Sequence, residues 1–325
     1  MTNNKHKFPY KWNLADGYPA KGITKNECNV FGTFICGGGS TMGYKLAGFN
    51  HLGGVEIDPQ VADVYKENHK PKHLFVEDIR EFNKRTDLPK ELFNLDILDG
   101  SPPCSTFSMA GSREKAWGKE KQFREGQAVQ TLDDLVFVYC DTIIKLQPKV
   151  FLLENVKGII QGNAKAYSKE IVKKMTAAGY AVQVFCLNAA SMGVPQKRER
   201  VFFIGHKKEY NLPKLRLDFN ERAIPFGEFG QHESHTRAKS SERYGDVILR
   251  YGEVANTIVG TNDYFVEKDF QKPTNASLYQ IGSYPLDYNF KGIEPQYLIG
   301  MSVPPVMTAQ ISHQIYLQWL SKIKQ

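Results

Sequence analysis

The chain of 325 residues carries 42 Lys+Arg against 35 Asp+Glu, a net charge of +7 that suits a polyanionic partner without requiring one. Its five cysteines are odd in number and lack paired ligand spacing, which argues against a structural zinc and for a reducing compartment. No apolar run is long enough to span a bilayer, and Met1-Thr2-Asn3-Asn4-Lys5-His6-Lys7 lacks the apolar centre of a signal peptide, so a soluble cytoplasmic protein is expected.

In chain order, the first strand candidate is Val30-Phe31-Gly32-Thr33-Phe34-Ile35. It runs into Cys36-Gly37-Gly38-Gly39-Ser40-Thr41-Met42-Gly43 and then a helical Tyr44-Lys45-Leu46-Ala47. A glycine-rich turn between strand and helix lets a ligand approach the backbone at the positive end of the helix. The glycines at 37, 39 and 43 miss the dinucleotide spacing, because residue 42 is methionine, and a nicotinamide cofactor is disfavoured. The next strand candidate, Leu52-Gly53-Gly54-Val55, ends in Glu56-Ile57-Asp58, where an acid could accept hydrogen bonds from both ribose hydroxyls. Val76-Glu77-Asp78-Ile79 follows, and its Asp78 could bond an adenine amino group.

Leu95-Asp96-Ile97-Leu98-Asp99 reads as a central parallel strand, and Gly100-Ser101-Pro102-Pro103-Cys104-Ser105-Thr106-Phe107-Ser108 leaves its carboxyl end. Active sites of open α/β sheets lie beyond such ends, and two prolines would fix the direction of the thiol, so Cys104 is a candidate nucleophile. Val150-Phe151-Leu152-Leu153 is another buried strand, and it brings Glu154-Asn155-Val156 to the same sheet edge. Gln196-Lys197-Arg198-Glu199-Arg200 precedes the strand Val201-Phe202-Phe203-Ile204, with alternation pointing Arg198 and Arg200 the same way. Two guanidiniums on one face suit an anionic substrate or a ring gaining negative charge; a salt-bridged strand end is the alternative for each. Helix candidates at 61–65, 135–146 and 167–178 alternate with the strands, which predicts a mostly parallel sheet with helices on both faces. Periodicity fades over 206–290, and 306–323 regains helical spacing through Ile311, Ile315, Leu317 and Leu320.

Taken in order, these elements resemble the cytosine-5 DNA methyltransferases of bacterial and phage modification systems. The resemblance runs from Val30 onward, weakest between Lys207 and Ala255, and includes Gly300-Met301-Ser302-Val303 near the end. It implies an α/β, Rossmann-like, S-adenosylmethionine-dependent methyltransferase fold with a small irregular target-recognition lobe. The expected division is an N-terminal extension at 1–29, a catalytic and cofactor-binding domain at 30–205, the lobe at 206–290, and a segment at 291–325 that returns to the catalytic domain. By resemblance, Phe34, Gly37, Gly38, Gly39, Glu56, Ile57, Asp78, Ile79, Pro103 and Ser302 would bind the cofactor. Cys104, Glu154, Arg198 and Arg200 would be catalytic, and Ser108, Asn155, Gln196, Arg113 and Arg237 would contact the substrate.

In the implied reaction Cys104 adds to carbon 6 of a flipped-out cytosine, Glu154 stabilises ring nitrogen 3, and carbon 5 takes the methyl group. A loop at 105–130, with Gly111, Gly118 and Gly126 and with Lys115, Lys119, Lys121 and Arg124 for phosphates, would close over the base. Its interspersed acids would also suit a plain solvated loop, but its departure directly from Cys104 favours the lid. His232, His235, Lys239 and Arg243 are further candidates for DNA contact. Double-stranded DNA is the expected partner, with a cognate restriction endonuclease and no membrane, in a cytoplasmic, nucleoid-associated protein. The chain departs from the family at Cys36, where glycine is usual, at Met301, where asparagine is usual, and in a short recognition region. Transfer to tRNA and a non-catalytic nucleic-acid binder are the alternatives.

Overall fold

Short apolar runs that alternate with helices give the chain a sheet buried on both faces. The computed structural model describes residues 6–18, 28–103, 134–238, 246–260, 262–265 and 271–323. In chain order the first elements are β1 (Asn29–Thr33), α1 (Gly39–Leu46), β2 (Asn50–Glu56), α2 (Pro59–His69), β3 (His73–Val76) and α3 (Ile79–Lys84). Next come β4 (Ile97–Gly100), α4 (Leu135–Leu146), β5 (Val150–Val156), α5 (Lys165–Ala177), β6 (Tyr180–Asn188), β7 (Gln196–Lys197) and β8 (Glu199–Lys207). The remainder comprises β9 (Ser234–Ala238), β10 (Asp246–Leu249), β11 (Ala255–Asn256), β12 (Asn262–Phe265), α6 (Asn275–Ile281), α7 (Pro295–Met301) and α8 (Pro305–Ile315).

Seven strands form the main sheet in the order β3-β2-β1-β4-β5-β8-β6. Pairings from β3 across to β5 are parallel, and β8 runs antiparallel to both β5 and β6. The chain leaves β1 to one side and returns as β4 on the other, so a crevice opens between them beyond their carboxyl ends. Residues one apart on a strand serve opposite faces: Val30, Ile97, Leu152 and Ile204 join one core with α1, α2 and α8, while Phe31, Leu98, Phe151 and Phe203 join a second core with α3, α4 and α5. Each such side chain removed from water contributes about 1.5–3 kcal/mol.

Helix starts beside the crevice are set by carboxylates, and one of them, Asp78, also lines it. Asp58 accepts the amides of Gln60 and Val61 at the start of α2, ahead of Pro59, and Asp78 accepts the amide of Arg80 at the start of α3. Helix α8 lies directly on α1: a Cβ at Gly43 would clash with Pro305 and Thr308. Ahead of β1, Phe8 and Trp12 are buried in the first core, and the Trp12 indole donates to the Ser283 carbonyl at 3.1 Å.

The segment expected to be irregular holds a three-stranded antiparallel sheet, β10-β9-β12. The boundary proposed at 206 falls inside β8, since Gly205-His206-Lys207 pair with β5 and β6 by backbone hydrogen bonds that need no apolar side chains. Leu215, Leu217, Phe226 and Leu249 belong to the first main core. The short strand β11 pairs with β7 in parallel and ties this segment to the arginine-bearing strand.

Candidate active site

A cavity of about 370 Å³ occupies the crevice. One wall carries Phe34, Cys36, Glu56, Ile57, Asp78, Ile79 and Ser302; the other carries Ser101, Pro102, Pro103, Glu154, Asn155, Arg198 and Arg200. Cys104, Ser108, Arg113, Lys239, Arg243 and the 105–130 loop lie outside the described residues.

The first wall is shaped by backbone. Phe34 and Cys36 both have left-handed φ, +55° and +47°. Glycine adopts that conformation without strain, so the Cys36 side chain carries a local cost there. Gly38, at φ +77°, starts α1, and a Cβ there would run into the His69 ring. Gly37 rests against Leu298 and Tyr284, so Gly37 and Gly38 pack behind the wall while Cys36 and Gly39 face the cavity. The Glu56 carboxylate accepts the amides of Cys36 at 2.9 Å and Asp58 at 3.0 Å, which fixes the acid at the end of β2. Burial pushes its pKa above the ordinary carboxylate value, opposed by those amide hydrogen bonds. Asp78 holds its own helix start and pairs with Arg80 at 3.1 Å. Ser302 donates to the Leu298 carbonyl and accepts from the Tyr284 hydroxyl, both at 2.7 Å. Burial, with Glu56 adding to it, pushes the Cys36 thiol up to about 12, which makes it a poor nucleophile.

The second wall is held by buried charge. Glu154, 8% exposed at the end of β5, takes the Arg200 Nε at 2.9 Å. Burial raises its pKa, and the Arg200 and Arg198 guanidiniums oppose that rise. Arg198 is 2% exposed and donates to the carbonyls of Ile258 at 3.0 Å and Gly300 at 2.8 Å. It thus pins the residues around 258 and α7 against the second wall. Asn155 donates to the Pro102 carbonyl at 3.3 Å and accepts the amide of Val156, bracing the proline turn that precedes Cys104. Gln196 spends both ends of its amide on backbone, the Ile281 carbonyl at 3.2 Å and the Ile258 amide at 3.1 Å, and does not line the cavity. Arg237 lies in β9, its backbone between Asp246 of β10 and Asp263 of β12.

Several wall residues escape a motif-based reading. Val259, Gly260 and Tyr297 also line the cavity, and Ser101 hydrogen-bonds Glu154. Asp99 was visible in the sequence as a carboxylate inside an apolar strand, and it sits 4% exposed one residue before Gly100. Among the described residues no cluster of His, Cys, Asp and Glu could hold a metal ion, and no helix is long and apolar enough to cross a membrane.

Comparison with known proteins bears on what this arrangement is. Type II methyltransferase M.FnuDI of Fusobacterium nucleatum is 34% identical over 190 residues, 57% of this chain and 49% of the relative. M1.HphI of Haemophilus parahaemolyticus is 28% identical over 330 residues, 87% of this chain and 85% of the relative. The chain spans about half the length of the first curated relatives it matches. Two solved structures share the fold. A protein described as a DNA modification methyltransferase encoded within a prophage (E. coli) has TM-score 0.64 at 17% identity, covering 90% of this chain and 99% of that one. A DNMT2 variant of Spodoptera frugiperda has TM-score 0.62 at 16% identity, covering 89% and 100%. The family model described as C-5 cytosine-specific DNA methylase matches residues 29–276, and the chain therefore belongs to that family.

Proposed function

We propose that this chain is a DNA (cytosine-5)-methyltransferase that moves a methyl group from S-adenosylmethionine to carbon 5 of a flipped-out cytosine through a covalent Cys104 adduct. The observation that carries this reading is the single cavity in which Glu56, Asp78 and Ser302 face Glu154 and Arg200, with Pro103 on its wall immediately before Cys104.

The first wall fits the cofactor. Glu56 is a buried acid with its carboxylate held by two amides, suited to a ribose diol, and Asp78 with Ile79 opens α3 at the same wall, suited to an adenine. Phe34 offers an apolar face, and Ser302 is fixed by Tyr284. When bound, S-adenosylmethionine supplies an electrophilic methyl group on sulfonium.

Carbon 5 of cytosine is too weak a nucleophile until the ring is activated, and thiolate addition by Cys104 at carbon 6 provides that activation. Electron density moves to ring nitrogen 3, where a protonated Glu154 donates its proton. Burial favours the protonated form of Glu154, and Arg200 at 2.9 Å holds the carboxyl in one orientation and stabilises the carboxylate once the proton has left. After carbon 5 has accepted the methyl group, loss of its proton to a base expels the Cys104 thiolate, and ring nitrogen 3 returns its proton to the Glu154 carboxylate as the aromatic ring is restored. Arg198 keeps the Ile258 and Gly300 carbonyls, and with them the cavity mouth, in register with Glu154. Residues 206–290 serve target recognition in this reading, with Arg237 in β9 as a DNA contact, and the N-terminal extension and the returning segment complete the catalytic domain. Type II relatives support a place in a restriction–modification system beside a cognate endonuclease, acting in the cytoplasm on nucleoid DNA.

The test is incubation with S-adenosylmethionine carrying a labelled methyl group, offered duplex DNA and total tRNA separately. Label is expected on DNA cytosine and absent with Cys104→Ala. Label on tRNA alone would overturn the DNA reading.

A further inference from the structure

Arg80 joins two elements of the cavity without lining it. Asp78, which caps α3, and Leu135, the first residue of α4, both face the cavity, and Asp134 directly precedes Leu135. The Arg80 guanidinium reaches both acids. Its Nη1 donates to Asp78 Oδ2 at 3.1 Å and more weakly to Oδ1 at 3.4 Å, while its Nη2 donates to Asp134 Oδ1. A guanidinium carries its donors in one rigid plane, so a fork divided between two carboxylates sets the direction of each.

That division leaves Asp78 able to accept one more hydrogen bond. A carboxylate offers about four lone-pair sites. Oδ1 of Asp78 takes the Arg80 amide at 2.7 Å and the weak Nη1 contact, and Oδ2 takes a single N–H from Nη1. One lone pair of Oδ2 is therefore left on an acid that faces the cavity. Asp134 protects it: were both ends of the fork turned onto Asp78, a bidentate pair would consume that site as well. The helices do not depend on this bridge to stay docked, because Asn83 of α3 donates to the Val138 carbonyl at 3.1 Å and Lys145 of α4 donates to the Asn83 carbonyl at 2.8 Å.

We infer that Arg80 is a positioning residue for Asp78, its fork shared with Asp134 so that one Asp78 oxygen keeps a lone pair for the exocyclic amine of the cofactor's adenine. This deepens the function proposed above and rests on its cofactor. A deaminated base presents a carbonyl oxygen in place of the amine, and a carboxylate held in that orientation has nothing to accept from it. Sites built to hydrogen-bond one group reject the analogue that lacks it.

The experiment is calorimetric titration of the enzyme, without DNA, with S-adenosylhomocysteine and with its deaminated counterpart S-inosylhomocysteine. The parent should prefer the adenosyl ligand. In Arg80→Met that preference should fall by about five- to tenfold, through weaker binding of the adenosyl ligand with the inosyl ligand little changed. Equal weakening of both ligands would mark a purely structural role and overturn the inference, as would an unchanged preference. Asp134→Asn, at a side chain 58% exposed, frees the fork to close on Asp78 and should lower the preference in the same direction, which keeps the idea testable if Arg80→Met does not fold. The double variant should be no worse than Arg80→Met alone, since the fork that Asp134 restrains is gone; losses that add would overturn the inference. A parent that binds neither ligand sinks the cofactor reading and this inference with it, whereas binding with an unmoved preference sinks the role of Arg80 alone.

Discussion

On the wall built by β1, β2 and α3, shape comes from the backbone: left-handed residues at 34, 36 and 38, an acid gripped by two amides, and a helix start capped by its own carboxylate. On the wall built by β4, β5 and β8, shape comes from charge: Glu154 and Arg198 are buried, and Arg200 pairs with Glu154 at 2.9 Å. The first kind of wall fails when an atom is added, because there is no room. The second fails when a charge is removed, because what remains is buried without a partner.

The largest expected effect is on the charged wall. Arg198→Met leaves the Ile258 and Gly300 carbonyls without their donor and takes a cation away from Glu154, which should cost about 3–5 kcal/mol in denaturant unfolding. A loss below about 1 kcal/mol would break the distinction between the walls.

On the backbone wall, Gly38→Ala should cost about 1–3 kcal/mol by the same measurement, from the left-handed φ and the His69 ring. Trimming that ring in a Gly38→Ala/His69→Ala double variant should return part of the loss, and strict additivity would mean that backbone strain alone is responsible.

A pH series sharpens the comparison further. Between the ordinary carboxyl pKa and about 7, the native state keeps the Asp99 proton that the unfolded chain has given up. Stability therefore falls as pH rises through that window and stays low above it. Asp99→Asn should be more stable than the parent at pH 8 by about 1 kcal/mol or more, and the gain should vanish near pH 4. A gain of equal size at both values would detach the effect from ionisation.

The smallest effect concerns neither wall directly. Trp12→Phe loses the hydrogen bond to the Ser283 carbonyl while keeping most of the apolar area, and thermal unfolding should report about 1 kcal/mol. A change in cofactor affinity larger than the change in stability would show that the N-terminal strap acts on the Tyr284–Ser302 pair.

The difference between the walls also explains what could be read before the fold was known. Backbone-built features leave glycines, prolines and capping acids at fixed offsets, so the stretch from Phe34 to Gly43, Glu56 and Asp78 announced themselves; Phe34, Cys36, Gly39, Glu56 and Asp78 fall on one wall, with Gly37 and Gly38 packed behind it. The main sheet was equally legible, because its strands are apolar on both faces and its helices separate them. Charge-built features depend on what lies across the sheet. Arg198 and Arg200 looked equivalent by alternation, yet one is consumed by two distant carbonyls and the other meets Glu154, since the partners at 258 and 300 come from elements with no spacing relation to β8. Gln196 reads as a substrate contact in the motif and is a backbone brace in the fold for the same reason. The small sheet β10-β9-β12 was missed because its strands are only four or five residues long, too short for an alternation to stand out.

The contact of α8 with α1 bears on the order in which the chain can assemble. Gly43 seats against Pro305 and Thr308, and Ser302 reaches the cavity from just ahead of that contact. Partners so far apart along the chain meet only after a long loop has closed, which is slow and comes late in folding. During synthesis the glycine turn and its helix wait for a cover made some hundreds of peptide bonds later. The wall proposed for the methyl donor is thus the last part of the cleft to be completed, whatever order the strands pair in.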